Sequence, residues 1–193
     1  MTYKNKAISN AMLAIDNYIK AAKAAEKARK EATANYRGDM LKKESERIYS
    51  QLLAVKGRCA DAVNAALADM KRRIDAFSLV SLDAATISQD FAFLNLPVTL
   101  STGQLTQLAE RNKTDGLFIQ ALNEYAKTHN IDLVFETRAD ALTRAYNEFK
   151  GYTAAAVDTT ADLNENADAL SWDMLAGLDA IESIDNMFCE GGE

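Results

Sequence analysis

Proline occurs once in 193 residues, at Pro97, and glycine only 8 times. Sandwiches and barrels need frequent turns, and these two residues supply most of them. Their scarcity argues against such folds and for long helices. Two cysteines, Cys59 and Cys189, are too few for a disulfide framework. A reduced compartment, or one where redox state does not matter, is the simplest reading. A single histidine, His129, leaves no material for a multi-histidine metal site. No stretch approaches the roughly 18 consecutive apolar residues of a membrane span. The N-terminal segment lacks an uninterrupted apolar core, because Asp16, Asn17 and Lys20 break it, so no signal peptide is expected. Neither G-x-G-x-x-G nor G-x-x-x-x-G-K-[ST] occurs, so nucleotide binding has no motif behind it.

Positive charge is missing from one end of the chain. Residues 151–193 hold 10 acidic residues and no Lys or Arg. Residues 1–77 carry 16 Lys/Arg against 9 Asp/Glu. The net charge of −6 therefore hides a basic front and an acidic tail. Such a split speaks to partners and packing more than to fold.

What is present is helical periodicity and 48% hydrophobic content, enough for a core. Ile8, Met12, Ile15, Ile19 and Ala22 step by four and three, which predicts a helix over about 5–34 that packs along another helix. Asn35-Tyr36-Arg37-Gly38-Asp39 interrupts the pattern and predicts a hairpin turn, with Asp39 capping the next helix. That turn also explains the tripeptide Arg37-Gly38-Asp39 without an adhesion role. Ile48, Leu52, Val55, Cys59 and Ala62 predict a second helix over about 40–77. Val63, Leu67, Met70, Ile74 and Phe77 continue it one residue out of step, widening the apolar stripe. Lys71, Arg72 and Arg73 form a basic cluster near its end.

Residues 78–150 predict a small helical domain. A helix starts near Ser81-Leu82-Asp83 and runs through Phe91, Phe93 and Leu94. Leu96 to Leu100 is extended or a turn, because Pro97 disfavours helix before it. Ser101 or Thr102 caps the next helix, and Thr114 or Asp115 the one after. Ile131 to Phe135 is an apolar connector, and a last helix covers about 137–150. Residues 151–168 (GYTAAAVDTTADLNENAD) read as a linker or partly ordered arm. Residues 169–188 regain amphipathicity, with Leu170, Met174, Leu178, Ile181 and Ile184 on one face and Trp172, Met187 and Phe188 adding bulk. This acidic apolar helix is expected to dock on a partner. Removing residues 151–193 is expected to weaken assembly contacts and leave the hairpin helical.

No catalytic constellation emerges. His129 lies near a helix C-terminus and reads as a local cap. Cys59 lies on an apolar seam with no histidine nearby in sequence and reads as an inert buried thiol. Asp158, Asp162, Glu165 and Asp168 lack the spacing and central glycine of a calcium loop and read as a solvated acidic linker. The helix pair at 101–129 has the length of a DNA-binding helix-turn-helix, yet its surface is not basic, which argues against phosphate contacts.

The segment FLNLPVTLSTGQLTQLAERNKTDGLFIQALNEYAKTHNI, residues 93–131, resembles phage-encoded proteins of Firmicutes bacteria. Those proteins carry a pattern like LLN-x-[LI]-P-[LV]-T-x-x-[EQ]-L-x-x-L-A-E-[KR]-[NHY]-K-x-[ND] followed by EYAxxH. The resemblance is looser over 1–77 and does not reach 151–193. It implies a structural protein of a tailed-phage head cluster, located in the virion after synthesis in the bacterial cytoplasm.

The expectation is thus an all-α protein of three parts: a basic helical hairpin at 1–77, a small helical domain at 78–150, and an acidic arm with a helix at 151–193. Its expected role is a non-enzymatic, capsid-associated accessory subunit of the decoration or cement kind. A scaffolding protein is the alternative, and a helical nucleic-acid-binding regulator the further one. Expected partners are the major capsid protein, other virion proteins or further copies of the chain, with no membrane, nucleic acid, cofactor or metal. Lys71, Arg72, Arg73, Trp172, Met174, Leu178, Ile181 and Phe188 are the expected partner-binding residues.

Overall fold

Asn5 starts the first helix, α1 (Lys6–Asn35). Its side-chain oxygen accepts hydrogen bonds from the N–H groups of Ala7 and Ile8 at 2.9 and 3.3 Å, donors that a helix start otherwise leaves open. No Pro or Gly interrupts the 30 residues that follow. The helix ends where Tyr36 turns extended and Gly38 takes φ +58°, a left-handed angle that glycine adopts without strain. Arg37 closes the turn by donating to the carbonyls of Thr33 and Tyr36. The second helix, α2 (Gly38–Ser78), then runs for 41 residues, with Asp39 in its first turn where an anion suits the helix dipole.

The computed structural model describes residues 3–78, 89–158 and 180–189, and the chain is all-α. The remaining described helices are α3 (Phe91–Leu94), α4 (Thr102–Arg111), α5 (Gly116–Thr128), α6 (Arg138–Asp158) and α7 (180–189). No strand occurs among the described residues. Nor is any described helix long and apolar enough to cross a membrane. Two compact units divide the chain: Met1–Lys71 with Ala145–Glu193, and Arg72–Arg144.

In the first unit α1 and α2 pack together as the predicted hairpin. Their antiparallel register shows where the Asn5 side-chain amide, at the start of α1, donates to Asp69 near the end of α2 at 3.4 Å. Burial first, then Cys59, pushes the Tyr18 phenol above its ordinary value. The buried line of α1 is Ile8, Ala11, Met12, Ile15, Tyr18, Ala22, Ala25 and Ala32. Ile19, expected on the seam, is only half-buried, and Tyr18 takes the interior place. The small side chains of Ala11, Ala22 and Ala25 lie along the same buried line as the Tyr18 ring. On α2 the buried line is Ile48, Leu52, Cys59, Val63, Ala66 and Met70.

α6 departs from expectation. The helix does not stop near 150; it continues to Asp158, so the first residues of the expected linker are helical. Gly151 costs about 1 kcal/mol relative to alanine. Phe149, Thr153 and Ala156, spaced four and three apart, are all buried and offset that cost. Thr153 satisfies its hydroxyl by donating to the carbonyl of Phe149 at 2.8 Å. Residues 159–168 of the expected linker lie outside the described residues, as do 79–88 at the expected start of the helix leading to Phe91.

The second unit is built on α4 and α5. Ser101 caps α4 in a reciprocal box with Gln104, and Asp115 caps α5 through the N–H of Phe118. Leu100, Leu105, Leu108, Ala109, Phe118, Ile119, Leu122, Tyr125 and Ala126 form its core. Phe91 meets Phe118 edge to face at 5.1 Å. Asn130, with φ +56°, ends α5, and the N–H groups of Asn130 and Ile131 bond back to the carbonyls of Lys127 and Ala126. That stop turns the chain so that Ile131, Leu133 and Phe135 pack on the core while Val134 between them points outward.

Candidate functional site

The polar side chains of the second unit serve mainly its own backbone. The Tyr125 hydroxyl accepts from the N–H of Leu100 at 3.0 Å and donates to the carbonyl of Val98 at 3.3 Å, which fastens the segment around Pro97. The Asn123 amide donates to the carbonyl of Phe135 and accepts from its N–H, both at 2.8 Å. It thereby stands in for the neighbouring strand that this extended segment lacks. The buried Asp90 carboxylate accepts from the Asn112 amide at 2.7 Å and the Arg111 guanidinium at 3.2 Å. His129 stacks on Tyr125 at 4.0 Å, and its Nδ1 lies 2.9 Å from the Tyr125 carbonyl, in the helix-end position expected for it. These groups build the residue 93–131 signature into a folded unit and are held by it.

Five of the eight expected partner residues fall among the described residues. Lys71, Arg72 and Arg73 lie exposed on α2. Consecutive helical residues point about 100° apart, so the three do not share one face. Arg72 and Arg73 already have partners within the chain. Trp172, Met174 and Leu178 lie outside the described residues. Ile181 and Phe188 are buried within the chain, together with Ile184. The apolar face of α7 is therefore already used internally.

The polar side of α7 shows where. Asp185 is only 2% exposed, and its two carboxylate oxygens accept from the backbone N–H of Lys4 at 2.6 Å and of Asn5 at 2.8 Å. A carboxylate at the start of α1 meets the positive end of the helix dipole. Burial first, then the carboxylates of Asp185 and Glu182, push the Tyr3 phenol above its ordinary value. The acidic end of the chain is thus joined to the first turn of the hairpin.

Cys59 is buried, and that burial pushes its thiol up, as fits an inert core sulfur. No group of three or more His, Cys, Asp or Glu side chains converges among the described residues in a way that could hold a metal ion. Near the hairpin turn, an open cleft of about 450 Å³ is lined by Arg29, Lys30, Thr33, Leu41 and Ser45. Beyond it along α2, Tyr49 and Leu53 stand 58% and 53% exposed, one helical turn apart. Met40 at the start of α2 is also exposed. Sequence reasoning read only the seam that begins at Ile48 and missed this second one. Tyr49, Leu53, Lys56 and Ala60 repeat by four and three and run in step with Val63, Leu67 and Met70. The signal was the out-of-step half of α2, followed backward.

The fold defines an all-α protein built on a long helical hairpin. Neither protein-family models, nor curated proteins, nor solved structures yield a match to this chain.

Proposed function

We propose that the chain is a non-enzymatic structural protein of a tailed-phage virion, a capsid-associated accessory subunit of the decoration or cement kind. The observation that carries this reading is the apolar surface on α2, where Tyr49 and Leu53 face outward from a hairpin whose core is already filled. Exposed apolar side chains in helical register suit a subunit that works by packing on neighbours. The resemblance over residues 93–131 supplies the virion setting. The use of Asn123, Tyr125 and Asp90 to hold local structure suits a building part better than a reaction centre. Partners on this reading are the major capsid protein, other virion proteins or further copies of the chain.

Quantitative mass spectrometry of purified mature particles tests it. The expected result is a fixed copy number comparable to that of the major capsid protein. Presence in procapsids with loss from mature particles would support scaffolding instead. A negligible amount in both would sink the structural role.

A further inference from the structure

We propose that the cleft beside the hairpin turn binds a carboxylate carried on a short apolar stem, the glutamate side chain of a partner protein. The inference does not depend on the virion role, since it concerns the group that the cleft takes and not where the partner resides. Two helices build the cleft from opposite sides of the turn. Arg29, Lys30 and Thr33 come from α1, and Leu41 and Ser45, one helical turn apart, from α2. Arg29, Leu41 and Ser45 are half-buried, while Lys30 and Thr33 are exposed.

Most charges around the cleft are already matched. Lys30 pairs with Glu26 at 2.6 Å, and Arg47 pairs with Glu44. Arg37 donates to the carbonyls of Thr33 and Tyr36. Glu31, two residues past Arg29, lies off its face of α1. Among the described residues no carboxylate pairs with the Arg29 guanidinium, although the side chain is half-buried. A partly desolvated cation gains by taking a counter-ion. The hydroxyls divide in the same way. Thr33 donates to the carbonyl of Arg29 at 2.9 Å, and Ser50 to that of Glu46 at 2.8 Å. Ser45 makes no such bond among the described residues, so its hydrogen is left for a ligand.

Charge and shape choose the ligand. With Lys30 neutralised by Glu26, the cleft holds one unmatched positive charge. A carboxylate balances it, whereas a phosphate dianion would leave a negative charge over. The flat guanidinium fork matches the two oxygens of a carboxylate, with the Ser45 hydroxyl as a further donor. Leu41 beside them offers an apolar wall to the methylene stem of a glutamate. The contact is small, so a single side-chain mimic should bind with Kd on the order of 1–10 mM.

NMR titration of the full chain with butyrate in dilute buffer tests the proposal, since low salt leaves the charges unscreened. Butyrate should shift the Arg29 Nε–Hε signal and the amides of Leu41 and Ser45, and the shifts should saturate. Arg29→Gln should weaken binding about tenfold or more, and Arg29→Lys several-fold, because an ammonium cannot offer two parallel donors. Ser45→Ala should weaken it about threefold and serves if a change at Arg29 disturbs α1. Lys43→Gln, at an exposed position outside the cleft, should change nothing. Absence of saturable shifts up to about 100 mM butyrate would overturn the proposal, as would binding indifferent to Arg29→Gln. Inorganic phosphate bound more tightly than butyrate would overturn the choice of a carboxylate, and acetate bound as tightly would overturn the apolar stem.

Discussion

Phe118→Ala should cost the Arg72–Arg144 unit about 3–5 kcal/mol, the usual price of truncating a fully buried phenylalanine. Phe118 has no exposed surface. It sits in the core with Leu105, Leu108 and Leu122, and Phe91 meets it edge to face. Truncation removes that aromatic contact and leaves a cavity lined by leucines that the capped helices α4 and α5 cannot easily collapse. A domain of ordinary size has only about 5–15 kcal/mol of stability in total. The variant should therefore be marginal in this unit. Hydrogen exchange gives the readout: amides of α4 and α5 should exchange about two to three and a half powers of ten faster, at one power per ~1.4 kcal/mol. Unchanged protection there would mean that Phe118 does not hold the core.

The second large effect concerns the chain's two ends. Asp185→Ala should destabilise the unit containing the hairpin by about 3 kcal/mol, since hydrogen bonds to a charged group contribute roughly 1.5–3 kcal/mol each and part is recovered by no longer burying a carboxylate. Two backbone donors, the part-buried Lys4 N–H and the buried Asn5 N–H, would lose their acceptor at the start of α1. Asp185→Asn should cost less, because one amide oxygen can still accept from one of them. Thermal unfolding gives the size of the effect, and exchange at residues 4–9 gives its place. A melting temperature and first-turn exchange indistinguishable from wild type would remove Asp185 from this role. Removing residues 151–193, expected to leave the hairpin helical, would also take away α7's acceptor for the N-terminus of α1.

What was legible in the sequence was local. A cap at Ser101 or Thr102, another at Thr114 or Asp115, and the Asn35–Asp39 turn are each read within a few residues; Ser101 and Asp115 take the cap places, and the chain turns at Gly38, with Asp39 inside the first turn of α2 and not at its cap. The seams of α1 and α2 followed from spacing in outline, but Tyr18 displaced Ile19, Val55 and Ala62 are only half-buried, and Ala66, on neither expected line, is buried. Spacing alone does not choose between adjacent lines on a helix. The contacts that escaped are those between distant residues. Asp185 and Asn5 are 180 residues apart, and nothing in an acidic tail announces that one of its carboxylates caps the first helix. Asn123 gave no sign that its amide would pair with Phe135, because any exposed helix carries such residues. The helix through Gly151 was hidden by a composition of small residues that suits a linker as well as a buried face. Only the burial of Phe149, Thr153 and Ala156 decides between the two.

The candidate site shifted for the same reason. Clusters visible in sequence, Lys71 to Arg73 and the apolar side of 180–189, are spread around a helix or already packed. The open surface lies where a helical repeat outruns its internal partner, and only burial along α2 reveals it. Hydroxyl-radical footprinting of the chain free in dilute solution and associated, with itself or on particles, tests this most directly. The account predicts that Tyr49 and Leu53 lose reactivity on association, while the exposed Leu13 and Val134 keep theirs. Tyr49 and Leu53 as reactive in the associated state as in the free chain would contradict it.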